Sequence, residues 1–448
     1  MSIQANESSQ LGSVLGALAA LQRAAFGLLP ALGVMSVQRM GILVLPRGDV
    51  PPDFAFITIS LAEIVAMLLL VVSGLRAGID PAYGLRLRRT CRAIVRRRGG
   101  LWLCLLAVWL FLTTLWARER GLAFAGALQF AVILGMAFVL ADAFIHEGEG
   151  VWRTALIGLL GGAALQAVIA IFQVIHQNPL GLGAFGEIER FWYEPTSYYR
   201  APGLAMHPNY LAGYLLLALF GCALCGVLWR RGRWIAIGVA VLCLVGILCT
   251  ASRGALLGLV LSAAPALFVG IRALPSRWRV RVVGGVVAVA ALAALGLLVV
   301  VLRGDLANVT NRLFTPREFF WDDTFSVIRT QPNAFWVGVG ENNLMVYIAD
   351  LYPDEVRPLL PVHNVYVYQV ATVGIVGAGL FALALLRMLR GLTAGDGLAL
   401  FVWTGAILAM IVTSLVDNYF WAIPPFRLVA LWAIGMWWGL SLIRKNDL

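Results

Sequence analysis

Long apolar runs separated by short polar connections repeat along the whole chain. A helix needs roughly 17–25 predominantly apolar residues to cross a bilayer. The hydropathy pattern predicts twelve such spans, at residues 11–35, 54–75, 101–117, 121–145, 151–175, 205–228, 234–251, 254–271, 282–302, 363–386, 398–416 and 426–443. We therefore expect an all-α polytopic membrane protein in which residues 1–448 form a single membrane-embedded domain.

Composition supports this class and excludes a soluble core. Hydrophobic residues make up 61% of the chain, charged residues make up 13%, and the mean hydropathy is +0.86. The six cysteines all fall in predicted spans or in the basic loop after the second span, so no disulfide framework is expected. Cys222 and Cys225 form a C-x-x-C pair inside an apolar run, where packing explains them better than redox or metal chemistry.

The basic residues are concentrated on one side of the predicted membrane. Most of the 34 Lys and Arg residues lie at the C-terminus or in the connections after even-numbered spans, and most acidic residues lie on the other side. The positive-inside rule then makes both termini cytoplasmic and turns residues 176–204, 252–253, 303–362 and 417–425 outward. The net charge of +11 and the arginine cluster at 86–98 therefore indicate contact with anionic membrane lipid, and no nucleic-acid partner is expected.

Two outer segments are long enough to carry function. Residues 303–362 are too many for a simple connection, and they contain a predicted amphipathic helix at 317–330 and a turn-rich GVGENN at 338–343. GVGENN lacks the strand–helix context of a nucleotide-binding loop. Residues 176–204 mix aromatic rings with carboxylates, which suits either sugar binding or an interfacial aromatic belt.

Arg200, Arg253 and His363 stand at the same predicted outer ends of three spans. Taken singly, each arginine is explained as a snorkelling or loop-pinning residue and the histidine as an interfacial hydrogen-bonding residue. Taken together, two guanidinium forks suit a diphosphate, and a histidine can accept a proton from an alcohol near neutral pH. If the topology brings the three together, they form a site for an anionic, membrane-held substrate.

Several other polar residues have two interpretations each. Glu63 and Asp142 lie inside predicted spans, where an acid marks a functional site by default, but tertiary hydrogen bonding also explains them. Asp322 and Asp323 suit either a divalent cation or a solvated helix face, and the lack of further ligand spacing favours the helix face. His207 suits either acid–base chemistry or a helix start, and we favour the helix start. No metal and no cofactor is expected.

Four sequence motifs lie at predicted span edges. They are RAPGLAMHPNYLAGYLL (200–216), TASRGALLGL (250–259), QPNAFWVGVGENNL (331–344) and PVHNVYVYQVATVGIVG (361–377). In this order and placement they resemble the O-antigen ligase and O-antigen polymerase superfamily of bacterial membrane glycosyltransferases. The resemblance covers roughly residues 195–380, and the first five spans match only in character.

The resemblance implies a GT-C-like membrane fold and a role for each motif residue. His363 would act on the acceptor hydroxyl, and Arg200 and Arg253 would engage the lipid-linked diphosphate. The candidate supporting residues are Asn364, Asn209, His207, Gly338, Gly340 and Asp417. The implied enzyme is a metal-independent, inverting O-antigen ligase of the bacterial inner membrane with its site facing the periplasm. Its substrates would be an undecaprenyl-diphosphate-linked glycan and a lipid A–core acceptor.

Three alternatives stay open at this point. An O-antigen polymerase or a protein O-oligosaccharyltransferase of the same superfamily would use the same residues. The modest outer loops and the short tail after residue 443 favour a ligase. A lipid-linked sugar transporter would need polar or broken-helix sites near the midplane and internal pseudo-symmetry, and the unlike halves of the chain argue against it.

Reporter fusions at Asp323 test the predicted orientation. Alkaline phosphatase fused at Asp323 is expected to be active, and a reporter that works only in the cytoplasm is expected to be inactive there, because arginine placement turns 303–362 outward. The reverse pattern would put Arg200, Arg253 and His363 on the cytoplasmic side and exclude the site.

Overall fold

Helices make up most of the structure, a computed structural model that describes residues 2–35, 40–43, 56–188, 199–262, 319–352, 360–390, 392 and 397–443. In chain order they are α1 (Ser2–Leu32), α2 (Leu61–Ile79), α3 (Pro81–Arg97), α4 (Gly100–Thr113), α5 (Arg120–His146), α6 (Glu149–His176), α7 (Pro208–Leu228), α8 (Arg233–Thr250), α9 (Arg253–Ser262), α10 (319–330), α11 (Ala334–Val337), α12 (Leu344–Leu351), α13 (Val365–Arg390), α14 (Leu398–Thr413), α15 (Tyr419–Ala422) and α16 (Pro424–Leu442). Short 3-10 turns lie at Gly183–Phe185 and Arg230–Gly232.

Eight of the described helices are long and apolar enough to cross a membrane, namely α1, α2, α5, α6, α7, α8, α13 and α16. Three shorter apolar helices, α4, α9 and α14, stand beside them. The prediction of an all-α polytopic membrane protein is thus confirmed. The count of twelve spans stays a prediction, because residues 263–318, with the span at 282–302, lie outside the described residues.

The second predicted span, 54–75, begins too early. Residues Phe56–Ile59 form a strand that pairs antiparallel with Met40–Leu43, and the helix starts only at Leu61. Ser60 caps this helix: its hydroxyl accepts the Glu63 N–H, while the Glu63 carboxylate accepts the Ser60 N–H at 2.8 Å. Glu63 is therefore part of a capping box at the start of α2 rather than an acid inside the span.

Helix α16 lies at the centre of the bundle and packs closely on α5. Small residues allow the approach: a Cβ on Gly435 would lie 2.8 Å from the Ala137 carbonyl oxygen, and one on Gly439 would lie 2.7 Å from Phe144 Cβ. The largest fully buried side chains include Trp403, Trp432, Trp437 and Trp438.

Asp142 has a structural role at the opposite end of the bundle from the candidate site. Arg86 donates to Asp142 Oδ2 from Nε at 3.1 Å and from Nη2 at 2.9 Å, and the Thr90 hydroxyl donates to Oδ1 at 2.7 Å. These bonds tie α3 to α5, so tertiary hydrogen bonding accounts for this buried acid.

Helix α13 is broken in its middle, which the hydropathy pattern did not predict. Gly374 has φ 71° and ψ 175°, so the helical hydrogen bonds around it are lost. The segment before α12 replaces them: Val339 N–H donates to the Ala371 carbonyl at 2.9 Å, and Gly340 N–H donates to the Thr372 carbonyl at 2.8 Å. The first half of α13 is therefore held by this docked segment rather than by an unbroken helix.

A methyl group at the break is expected to destabilise the protein. In Gly374→Ala the Cβ would collide with the Trp336 carbonyl, and a non-glycine residue at positive φ costs about 1–3 kcal/mol by itself. The melting temperature of the purified protein in detergent should therefore fall clearly.

The matched control is Gly379→Ala, later in the same helix, where an added Cβ meets no atom within 4 Å. Equal melting temperatures for the two variants would contradict the role assigned to the break.

Candidate functional site

A buried non-helical segment, residues 199–207, leads into α7. Two buried glutamines of α6 supply hydrogen bonds to its backbone at Gly203 and Leu204. Gln173 Oε1 accepts the Gly203 N–H at 2.9 Å, Gln173 Nε2 donates to the Gly203 carbonyl at 3.1 Å, and Gln166 Oε1 accepts the Leu204 N–H at 2.8 Å. Irregular backbone inside a membrane bundle is tolerated when the protein supplies such partners.

Arg200 at the start of this segment is half-buried and firmly held. Its Nε donates to the Thr250 carbonyl at 3.0 Å, and its Nη2 donates to Asn209 Oδ1 at 2.8 Å. The adjoining Ala201 N–H donates to the Cys249 carbonyl at 3.1 Å. The guanidinium is thereby fixed between the end of α8 and the start of α7.

Asp417, in the buried turn between α14 and α15, joins Arg200 to the histidine. Asn209 Nδ2 donates to Asp417 Oδ2 at 2.8 Å, and His363 Nδ1 lies 3.5 Å from Asp417 Oδ1. The Asn418 N–H donates to the same Oδ1 at 2.9 Å. A continuous chain therefore runs from Arg200 through Asn209 and Asp417 to His363.

The surroundings of Asp417 keep its carboxylate charged. Burial alone would raise the pKa of this acid, but the hydrogen bond and charge of His363, the charge of His207 and the Asn418 N–H outweigh it and hold the pKa below its ordinary value. Asp417 is therefore an ionised acceptor at neutral pH.

His207 and Asn364 cap the two helices that start at the site. His207 Nδ1 accepts the Asn209 N–H at 3.1 Å, as the helix-start interpretation of this histidine predicts. Asn364 Oδ1 accepts the Val367 N–H at 3.0 Å, and its Nδ2 donates to the Leu415 carbonyl at 2.8 Å. Asn364 thus fixes the start of α13 against the turn that carries Asp417.

Arg253 comes close to this turn through its backbone. It is the first residue of α9, and a Cβ on the adjacent Gly254 would lie 2.7 Å from Val416 Cγ2. Its side chain is exposed, and within the described part of the chain it makes no hydrogen bond or ion pair. The structure therefore brings Arg200, His363 and Asp417 together and leaves the Arg253 guanidinium outside their network.

Helix α10 covers the histidine, in agreement with the helix predicted at 317–330. The rings of Phe320 and His363 meet edge-to-face with their centroids 5.5 Å apart. Asp322 is exposed, but Asp323 is buried. The solvated-face interpretation is therefore wrong for Asp323, because its side of α10 packs into the protein.

A narrow apolar cleft with a volume of about 40 Å³ begins next to the site. Val365 and Tyr366, which follow directly after the His363-Asn364 pair, line one part of it, together with Ser414. The other walls come from α5, α14, α15, α16 and the later part of α13 and are almost entirely apolar, with Arg427 as the charged exception.

Gly338 and Gly340 serve the docked segment and not the polar network. Both have positive φ, 74° and 105°. A Cβ on Gly338 would collide with the Thr372 carbonyl, and one on Gly340 would lie 2.6 Å from Ala117 Cβ. These two supporting candidates therefore allow backbone to pack closely on α13 and on the loop that follows α4.

One buried ion pair near the site was not predicted. Arg427 Nη1 donates to Glu341 Oε1 at 2.7 Å, and both side chains are almost completely buried. The guanidinium also lies over the Trp421 ring, 5.7 Å from its centroid. A lone arginine in the apolar run 426–443 was the available signal, because a charge inside a span marks a functional site by default.

The helices and the partly buried His–Asp–Asn–Arg chain together define a polytopic membrane protein with a polar site at one shared end of its helices. Residues 238–382, less than half of the chain, match the family described as O-antigen ligase. Three of the four motifs that carry the resemblance, at 250–259, 331–344 and 361–377, lie inside this match, which supports the O-antigen ligase superfamily for this part of the chain. That superfamily is one of glycosyltransferase-like enzymes. A comparison with curated proteins found no match.

Proposed function

We propose that this protein is an O-antigen ligase, which transfers O-antigen polysaccharide from undecaprenyl diphosphate to a sugar hydroxyl of lipid A–core on the periplasmic side of the inner membrane. The observation that carries the proposal is the hydrogen-bonded chain from Arg200 through Asn209 and Asp417 to His363, beside an apolar cleft. This chain joins Arg200, which is suited to bind an anion, to His363, which is suited to accept a proton. The transfer of a sugar from a lipid diphosphate needs both groups.

His363 is the proposed general base. Its Nδ1 faces the ionised Asp417, 3.5 Å away, so a proton on Nδ1 leaves Nε2 as the acceptor for the incoming hydroxyl. The carboxylate also stabilises the imidazolium that forms when the proton arrives. A distance of 3.5 Å is long for a hydrogen bond, and such contacts commonly shorten when substrate binds.

Arg200 and Arg253 are the proposed partners of the diphosphate. Arg200 is held in place by Thr250 and Asn209, so it needs little reorganisation to bind an anion. The exposed Arg253 side chain at the start of α9 is able to move toward the same ligand. Negative charge grows on the diphosphate as it leaves, and fixed guanidinium groups stabilise that charge in the transition state. Two arginines supply the positive charge that a metal ion provides in other enzymes, so the proposal includes no metal.

The reaction is a single displacement. The acceptor oxygen attacks the anomeric carbon on the face opposite the diphosphate, and the hydroxyl proton passes to His363. The bond between the anomeric carbon and the diphosphate breaks, its electron pair leaves with undecaprenyl diphosphate, and the anomeric configuration inverts. The surface beside the site at Val365 and Tyr366 is apolar, which is compatible with contact to the hydrocarbon part of a lipid substrate.

The break in α13 is a feature that a transporter would also need. In a transporter, freed backbone groups line a cavity for the substrate. Here the Ala371 and Thr372 carbonyls are already bonded to the Val339 and Gly340 N–H groups. The break therefore favours a fixed enzyme site over a moving transport site.

Substitutions at His363 and at the two arginines should separate the base from the diphosphate partners. His363→Ala should leave binding of the lipid diphosphate almost unchanged and lower the transfer rate by about 10²–10⁴-fold, the usual contribution of a general base. Arg200→Lys and Arg253→Lys should weaken donor binding as well as turnover, because lysine keeps the charge and loses the fork. Donor binding and single-turnover transfer by purified protein measure the two effects.

Matched controls exist at the same end of the helices. His176→Ala replaces an exposed histidine at the end of α6, and Arg118→Lys changes an exposed arginine that pairs with Asp350. Both should behave like the wild type. A well-folded His363→Ala protein with near-normal transfer would refute the base role.

The choice between ligase and polymerase rests on the acceptor. Purified protein that receives undecaprenyl-diphosphate-linked glycan and lipid A–core should attach glycan to the core, as shown by a gel shift of the core lipid. Without the core acceptor, the lipid-linked chain should not lengthen. Chain extension on the carrier alone would identify an O-antigen polymerase, and transfer to a protein acceptor would identify a protein O-oligosaccharyltransferase.

A further inference from the structure

The Glu341–Arg427 ion pair is poorly built for stability alone. Both side chains are almost completely buried, and their contact is 2.7 Å. Within the described residues, Glu341 Oε2, Arg427 Nε and Arg427 Nη2 nevertheless have no hydrogen-bond partner. Removing two charges from water costs several kcal/mol per ion, and well-packed apolar residues often replace such pairs without loss of stability. The pair therefore calls for a role beyond holding the bundle together.

Glu341 belongs to the side of the structure that carries His363. It directly follows Val339 and Gly340, whose N–H groups bond to the Ala371 and Thr372 carbonyls of α13. The break at Gly374 separates the first half of α13 from the rest of the helix. The docked segment therefore supports this half-helix at the end that lies away from His363. His363 stands immediately before that half-helix.

Arg427 belongs to the side that carries Asp417. It lies in the first turn of α16, directly after the short α15 and the turn with Asp417. Next to His363, Asn418 Nδ2 donates to the Val362 carbonyl at 2.9 Å, and Asn364 Nδ2 donates to the Leu415 carbonyl at 2.8 Å. The Glu341–Arg427 ion pair makes a second connection between the same two sides, at the end of the half-helix that lies away from His363.

We infer that Glu341 and Arg427 are positioning residues that hold the first half of α13, and with it His363, in register with Asp417. This inference rests on the proposed function, because it assigns the pair to the alignment of the proposed base. A contact of 3.5 Å between His363 and Asp417 is sensitive to such alignment, and a displacement of about 1 Å can cost roughly 10²-fold in rate.

The test compares turnover in two backgrounds. The double substitution Glu341→Gln with Arg427→Gln removes both charges and retains groups that can hydrogen-bond, so no charge is left buried without a partner. In the wild-type background, kcat for transfer should fall about 10–100-fold, while KM for donor and acceptor stays within about twofold. In the Asp417→Asn background, the same double substitution should lower kcat by less than about threefold, because the contact it aligns is already lost.

If Glu341 and Arg427 only stabilise the fold, the kcat values in the two backgrounds will not follow this pattern. Unchanged kcat in a folded double variant, or equal losses in both backgrounds, would overturn the inference. Glu341→Asp is the second variant in case the double variant fails to fold: it keeps the charge and withdraws the carboxylate by one methylene. It should show the same fall in kcat at constant KM, and wild-type kcat in a folded Glu341→Asp protein would also overturn the inference.

The control pair is Arg86→Gln with Asp142→Asn, a partly buried ion pair at the far end of the bundle. It should lower the melting temperature and leave kcat per folded molecule unchanged.

His363→Ala in the same assay separates the positioning role from the proposed function. If His363→Ala lowers transfer by about 10²–10⁴-fold and the Glu341 variants keep the wild-type kcat, the positioning role fails and the proposed function stands. If His363→Ala transfers normally, the proposed function itself fails.

Discussion

Backbone that leaves the helical conformation inside a membrane bundle must find its hydrogen bonds within the protein, and this constraint organises the site. The protein meets it twice. Gln166 and Gln173 satisfy the segment 199–207, and the N–H groups of 339–340 satisfy the carbonyls freed at the break in α13. Each irregular region carries or supports a site residue, Arg200 in the first case and His363 in the second. Side chains that continuous helices would hold apart are thus brought to one place.

Asp417 is the point at which the two regions meet. One oxygen accepts from Asn209, which also accepts from Arg200, and the other faces His363. Because these groups start from different helices, a shift of any one of them changes the electrostatic surroundings of the rest. In the proposed reaction, this arrangement couples the arginine that receives the leaving diphosphate to the histidine that receives the proton. Charge would then develop at both ends of one connected chain.

The sequence predicts the parts of this site that depend on local pattern. Hydropathy and arginine placement put Arg200 and His363 at the same helix ends. The motif at 200–216 adds Asn209, and the family resemblance adds Asp417. The Glu341–Arg427 pair joins residues that lie 86 positions apart in the chain. The local pattern therefore marks Arg427 as a lone charge in an apolar run but does not reveal its partner. The sequence does not predict the break at Gly374 for a similar reason. VGIVGAG contains several glycines, and only the segment docked against Gly374 distinguishes it from the others.

The superfamily match and the site do not cover the same residues. The match at 238–382 includes His363 and Glu341. The ionic partners of these two residues, Asp417 and Arg427, both come later in the chain. Arg200 comes before the match. The matched region therefore contains half of each charged pair, and the proposed chemistry needs the flanking helices to complete both. Substitutions far outside the match are thus able to alter the proposed base as directly as substitutions within it.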